Sequence, residues 1–255
     1  MKRIFFSTLV ATGLIVVAVW YFSDAPTPKE EIIRARQAAR FQSTLIKARG
    51  GDVAAQLAVA GYYKDGIGVK KNQALAGDFY RRAARRGRPV AQYELGRMYE
   101  TGSGVGADSI KAAEWYRLAA GIGGNRDAQY ALGRLYFTGR GVVNNYAAAV
   151  KWFRKAANQG HPAALYIMGA VYLEGWSVNV DPIEAYKWFT LALPVADQAM
   201  AFDRSYDPAR ALRRLKAKMN KFQIGRAEEK AALWKPRTEK PAIAIPGRRL
   251  LPVRQ

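Results

Sequence analysis

The side chains that could do chemistry in this chain are few. Among 255 residues there is no cysteine and one histidine. Disulfides, thiolate metal sites and thiol nucleophiles are therefore excluded, and His161, between Gly160 and Pro162, has no second imidazole or thiolate with which to hold zinc. It reads as a structural or solvent-exposed residue. Glu100 and Glu174 follow closely on Tyr99 and Tyr172 and would be the candidate acids for glycoside cleavage. That reaction needs two carboxyl groups facing each other across a cleft, and neither a second group nor a cleft is indicated. Gly102-Ser103-Gly104 has the look of a phosphate loop but lacks the Lys-Ser/Thr that would follow it and the strand that would precede it. The expectation is a chain with no catalytic residue, cofactor or metal: not an enzyme.

Charge points outward, to partners. Lys and Arg number 41 against 20 Asp and Glu, a net +21 that favours an anionic neighbour: lipid headgroups, an acidic protein or an envelope polymer. Arg81, Arg82, Arg85, Arg86 and Arg88 form one dense basic patch. From Arg210 to Gln255 there are 14 basic residues against 3 acids, an excess of 11. Both could bind an anionic surface or simply be solvated.

The elements that position these residues begin with an uncharged run, Ile4 to Phe22, preceded by Lys2 and Arg3. Its 19 positions span roughly 28 Å as a helix, close to the thickness of a hydrocarbon core. Trp20-Tyr21-Phe22 ends it with bulky residues suited to a membrane interface, where a cleavage site would need small ones. Residues 1–23 are expected to be an uncleaved signal anchor with the body exported. A cleaved signal and a secreted or periplasmic chain are the alternative. An exported basic protein has little occasion to meet nucleic acid.

Self-comparison then reveals a repeat. Ala55-Gln56, Ala91-Gln92, Ala128-Gln129 and Ala164-Leu165 recur at intervals of 36, 37 and 36 residues. A tyrosine follows eight residues after each alanine, and a Gly-x-Gly turn comes next in three copies. The fourth has Gly175 followed by Trp176-Ser177. Asn72, Asp108, Asn145 and Asp181 stand seven residues before the aromatic pairs Phe79-Tyr80, Trp115-Tyr116, Trp152-Phe153 and Trp188-Phe189, and small residues close each unit.

Each anchor has a physical reason. Ala91, Leu95, Met98 and Tyr99 follow the helical period. Asn or Asp supplies an N-cap oxygen, and Asp181-Pro182-Ile183-Glu184 adds a first-turn proline and a capping-box carboxylate. Gly96, Gly133 and Gly169 lie mid-helix, a choice that costs ~1 kcal/mol relative to alanine and is sensible only where another helix crosses closely. Ala60 takes that place in the first copy. The unit is helix, glycine-rich loop, helix, with Trp115, Trp152 and Trp188 in the core.

The motif A-x-x-x-L-G-x-x-Y-x-x-G-x-G-V-x-x-[DN]-x-x-x-A-x-x-W-[YF]-x-x-A-A resembles the Sel-one-like repeat family, relatives of the tetratricopeptide repeat; Ala128 to Ala157 is the clearest copy. The resemblance covers about Gly51 to Leu193 and implies an all-α superhelical solenoid of four helix-loop-helix repeats with helical caps, here preceded by one transmembrane helix. Four repeats fall at residues 51–87, 88–123, 124–160 and 161–193. Residues 24–50 would be a linker and capping helix with Ile32, Ile33, Phe41, Leu45 and Ile46 on its apolar face. Residues 194–234 would form C-terminal capping helices, broken near Asn220 to Gln223. The last stretch, 235–255, holds four prolines among Lys and Arg and reads as a disordered basic tail.

By the same resemblance the function is a protein–protein interaction scaffold or adaptor of the cell envelope, binding through its concave face. A polysaccharide- or peptidoglycan-associated structural protein acting through its basic patches is the alternative. In tetratricopeptide-like solenoids the first helix of each pair lines the concave side. Tyr93, Tyr130 and Tyr166 form a row there, with Leu57 in the first copy, and Arg97 and Arg134 lie one turn further on, each beside its tyrosine. This strip is the candidate partner-binding site for a carboxylate-bearing segment. The tyrosines could instead be packing residues and the arginines merely solvated.

Overall fold

The computed structural model describes residues 26–121 and 124–237. The expected anchor, residues 122 and 123 between the second and third repeats, and the tail from residue 238 lie outside the described residues. Among the described residues there is no strand, and no helix is long and apolar enough to cross a membrane.

The chain is a stack of antiparallel helix pairs. After α1 (Pro28–Arg49) come α2 (Val53–Asp65) and α3 (Gln73–Arg85), α4 (Pro89–Thr101) and α5 (Ser109–Gly121), α6 (Arg126–Thr138) and α7 (Tyr146–Asn158), and α8 (Pro162–Glu174) and α9 (Pro182–Ala192). A 3-10 turn (Leu193–Val195) and a short α10 (Ala196–Phe202) precede α11 (Pro208–Lys216) and α12 (Lys221–Ala232). From α1 to α9 each helix packs on its neighbours in sequence, the arrangement that makes a solenoid quasi-one-dimensional, whereas α10 packs on α8, and α11 and α12 both pack on α9.

The recurring residues build this stack as their chemistry requires. Asn72, Asp108, Asn145 and Asp181 cap the second helices, accepting amide hydrogens at 2.8–3.0 Å. Glu184 does not close a capping box. Its carboxylate turns to the ammonium groups of Lys187 and, 2.7 Å away, Lys230, which ties α9 to α12. Gln56, Gln92 and Gln129 are buried and reach back to the carbonyls of Ala48, Ala84 and Ala120 at 3.2–3.3 Å, satisfying the end of the preceding helix. Beneath the mid-helix glycines lie the second aromatics of the pairs. A Cβ on Gly96, Gly133 or Gly169 would stand 2.5–2.7 Å from the ring of Tyr116, Phe153 or Phe189.

Two loop glycines redefine α1. Gly104 has φ +74 and sits so close to the start of α3 that a Cβ would fall 2.3 Å from the Gln73 carbonyl. Gly68 meets the Gln37 carbonyl of α1 in the same way, also at 2.3 Å. Gln37 therefore stands where a second helix normally begins, and α1 is the second helix of an incomplete repeat, with nine extra residues from Pro28 preceding it. Phe41, Leu45 and Ala48 bury against the stack. Ile32 and Ile33, expected on the apolar face, fall in the extension, which has no neighbour among the described residues, and are exposed; Ile46, on the far side of the helix from the buried stripe, is 72% exposed. In the fourth loop Ser177 adopts φ 55, the left-handed conformation that glycine supplies in the other three.

The tryptophans expected in the core divide. Trp115 and Trp188 are buried, whereas Trp152 is half-buried at the margin of the core, with the Lys155 ammonium 5.1 Å above its ring. Gly77, an odd residue where the other copies have Ala113, Val150 and Tyr186, makes room for Met98: a Cβ there would lie 3.1 Å from the methionine methyl. The break between α11 and α12 falls at 217–220, and Asn220 caps α12 in a full capping box with Gln223.

Candidate binding surface on the first helices

The row of tyrosines is built by the crossing glycines. Because α4, α6 and α8 approach their partner helices closely at Gly96, Gly133 and Gly169, the neighbouring tyrosine on each rests on the ring below. Tyr93 lies 5.8 Å from Tyr116, Tyr130 5.9 Å from Phe153 and Tyr166 5.2 Å from Phe189. The expected arginines stand beside them: the guanidinium of Arg97 is 5.9 Å from the Tyr93 centroid, and that of Arg134 is equally far from Tyr130. Both arginine side chains are about half exposed, at 51% and 45%.

The strip is not the simple cationic surface that spacing alone suggests. Arg97 pairs with Glu94 at 3.4 Å, and Glu94 also meets Lys64 of the preceding repeat at 3.4 Å. Arg134 pairs with Glu100 across the repeat junction. Glu100, the nearest thing to a catalytic acid in the sequence, also accepts a 2.8 Å hydrogen bond from the Tyr116 hydroxyl, so it ties two repeats together. Glu174 is exposed near the C-terminal end of α8. Among the described residues no cluster of His, Cys, Asp or Glu could hold a metal ion.

His161 is neither solvent-exposed nor idle. It is fully buried and caps α8: Nδ1 accepts the Ala164 amide hydrogen at 3.2 Å, so the ring's proton is on Nε2. That Nε2 is buried without a hydrogen-bond partner, 3.7 Å from Asp127 Oδ1. Burial, reinforced by the Arg126 charge, pushes the imidazole pKa down to about 3 and keeps the ring neutral. Burial likewise raises the pKa of Asp127, against the opposing charge of Arg126.

Sequence reasoning missed the segment that covers this region. After α9 the chain turns through Leu193–Val195 and α10 runs back over α8. Phe202 sits edge-on to Tyr130 at 5.2 Å and 5.0 Å from His161, which itself stacks on Tyr130 at 4.4 Å. Four residues later Tyr206 stacks on Tyr166 at 4.9 Å, and the Tyr130 hydroxyl is hydrogen-bonded to that of Tyr206. Tyr130 is left 6% exposed, Tyr166 is half-buried beneath Tyr206, and Tyr93 is half-buried with no such cover among the described residues. A signal existed in the sequence, an aromatic pair four apart directly after the last repeat, but nothing periodic marks its destination.

The basic patch lies at the end of α3 and the turn after it, where cations also suit the helix's negative pole. Arg81 is tied to Asp78 at 2.8 Å, and Arg82 lies 5.2 Å from the Phe79 ring. Arg85, Arg86 and Arg88 are exposed.

A family model described as Sel1 repeat matches residues 53–87, 89–123, 126–161 and 162–193. Among solved structures, a Sel1 repeat protein from Oxalobacter formigenes is 30% identical, covers 71% of each chain and superimposes with a TM-score of 0.58. The protein c5321, a protective antigen of uropathogenic Escherichia coli strains that displays an SLR fold, is 24% identical over 78% of this chain and 56% of its own, with a TM-score of 0.43. No curated protein matches.

Proposed function

The chain belongs to the Sel1 repeat family, whose members serve as typically non-enzymatic protein–protein interaction scaffolds, and on that premise we propose that it is an adaptor of the bacterial-type cell envelope. The apolar run at residues 4–22 holds it to the membrane, the repeat stack lies outside, and a partner protein docks on the concave face formed by α2, α4, α6 and α8. The observation that carries this reading is the strip on α4 and α6, where the half-exposed guanidinium groups of Arg97 and Arg134 stand beside the half-buried ring of Tyr93 and the buried ring of Tyr130.

The test is co-purification from native membranes through a C-terminal tag, comparing wild type with the Arg97→Ala/Arg134→Ala double variant. Capture should fall while stability drops by ~1 kcal/mol or less, since both arginines are about half exposed and Glu94 keeps Lys64, and Glu100 the Tyr116 hydroxyl, as partners. Unchanged capture refutes the assignment. A second reading, association with an anionic envelope polymer or lipid surface, is favoured by the exposed Arg85, Arg86 and Arg88. Its mark is binding that weakens steeply between low and moderate salt.

A further inference from the structure

The face formed by the first helices carries three equivalent ring seats, at Tyr93, Tyr130 and Tyr166, and among the described residues the chain covers two of them with its own rings. All three tyrosines rest on a second-helix ring at 5.2–5.9 Å, so their floors match. Over Tyr130 lies Phe202, and over Tyr166 lies Tyr206. These two residues are four apart in a segment that crosses one repeat, so the chain's own geometry shows how a peptide is read along this surface. At the third seat the cap residue of the next helix is Asn125, a short amide, where His161 puts a ring beside Tyr130. The Arg97 guanidinium lines its edge, and Asp127 and Arg134 act on the Tyr93 hydroxyl.

We propose that the open seat at Tyr93 receives an aromatic side chain from a peptide segment of the partner protein, continuing the line of rings that Phe202 and Tyr206 begin. This rests on the adaptor reading above and names the chemistry its partner presents. An anionic polymer is disfavoured at this seat, because Glu94 and Glu100 already pair with Arg97 and Arg134, and Asp127 adds a further acid. An aromatic ring requires no net charge there and gains edge or face contact with Tyr93.

The probe is a synthetic peptide with the sequence of residues 199–206, its phenylalanine replaced by photoreactive benzoyl-phenylalanine, added to the full chain in detergent. Saturable binding with crosslinks confined to residues 93–97 and 125–127 is expected. Tyr93→Ala should weaken binding by about tenfold or more, and Tyr93→Phe and Phe202→Ala should leave it within about twofold. The crosslink map on wild type does not depend on any variant folding. Crosslinks at residues 161–170, or binding that appears only in Phe202→Ala, would mean that the peptide displaces the chain's own segment, and the proposal fails. It also fails if nothing saturable binds or if a peptide with alanine at both ring positions binds as well. Since native capture through Arg97 and Arg134 is measured separately, loss of this inference leaves the adaptor reading standing, and the reverse outcome is equally visible.

Discussion

Gly133→Ala adds a single methyl group, and the structure says where it goes: 2.7 Å from both Cδ1 and Cε1 of Phe153. The same change at Gly61, also inside a first helix, meets nothing within 4 Å. Each substitution gains ~1 kcal/mol of helix propensity, so that contribution cancels when the two variants are compared. What is left is the cost of overpacking at Gly133, ~1–3 kcal/mol, because Phe153 is buried and already packs against Tyr130, on the same helix as Gly133. At ~2–4 °C per kcal/mol for a chain of this size, Gly133→Ala should melt several degrees below Gly61→Ala, and Gly133→Leu lower still. Thermal and urea unfolding followed by circular dichroism provide the measurement. Adding Phe153→Leu should recover part of the loss, since it removes the ring edge in conflict. If Gly133→Ala melts at or above Gly61→Ala, the tight crossing is not what keeps glycine in this place.

Other expectations follow from the buried cap and the polar ties. His161 has a folded-state pKa lowered to about 3 against 6.5. The unfolded chain therefore binds the proton first, and stability, complete above pH 6.5, should decline as pH falls toward 3 with a slope of up to ~1.4 kcal/mol per unit. His161→Asn, which keeps a capping acceptor like that of Asn125, should flatten this decline between pH 6.5 and 5; an unchanged slope in urea titrations would place the proton uptake elsewhere. Phe202→Ala uncovers the imidazole and should move its NMR-monitored titration upward, whereas an unmoved resonance would mean the ring does not shield it. Gln92→Leu, which removes the bridge to the Ala84 carbonyl, should cost ~1 kcal/mol, the net worth of one hydrogen bond, and a neutral result would show that the Gly87 amide alone satisfies that oxygen. Carbonate extraction should leave the chain in the membrane fraction, and N-terminal sequencing that finds it starting near residue 19 or 26 would replace the anchor by a cleaved signal.

The repeat register, the caps of the second helices, the loop turns and the crossing glycines were legible in the sequence, because each answers a local demand. A cap oxygen serves amides two or three residues away, a left-handed turn requires its own residue, and a buried stripe shows itself in the helical period. Repetition multiplied these weak signals fourfold. The residues between and beyond the repeats carried no such redundancy. That α1 is half a repeat followed only from the approach of Gly68 to Gln37, a contact between residues with nothing unusual in their types. The true environment of His161, and the difference between the covered Tyr130 and the open Tyr93, were decided by Phe202 and Tyr206. Those side chains reach their places through one turn and a seven-residue helix with a single buried residue, Ala199. So short and exposed a helix has no periodicity to read, and its position depends on rings that only the assembled stack brings together.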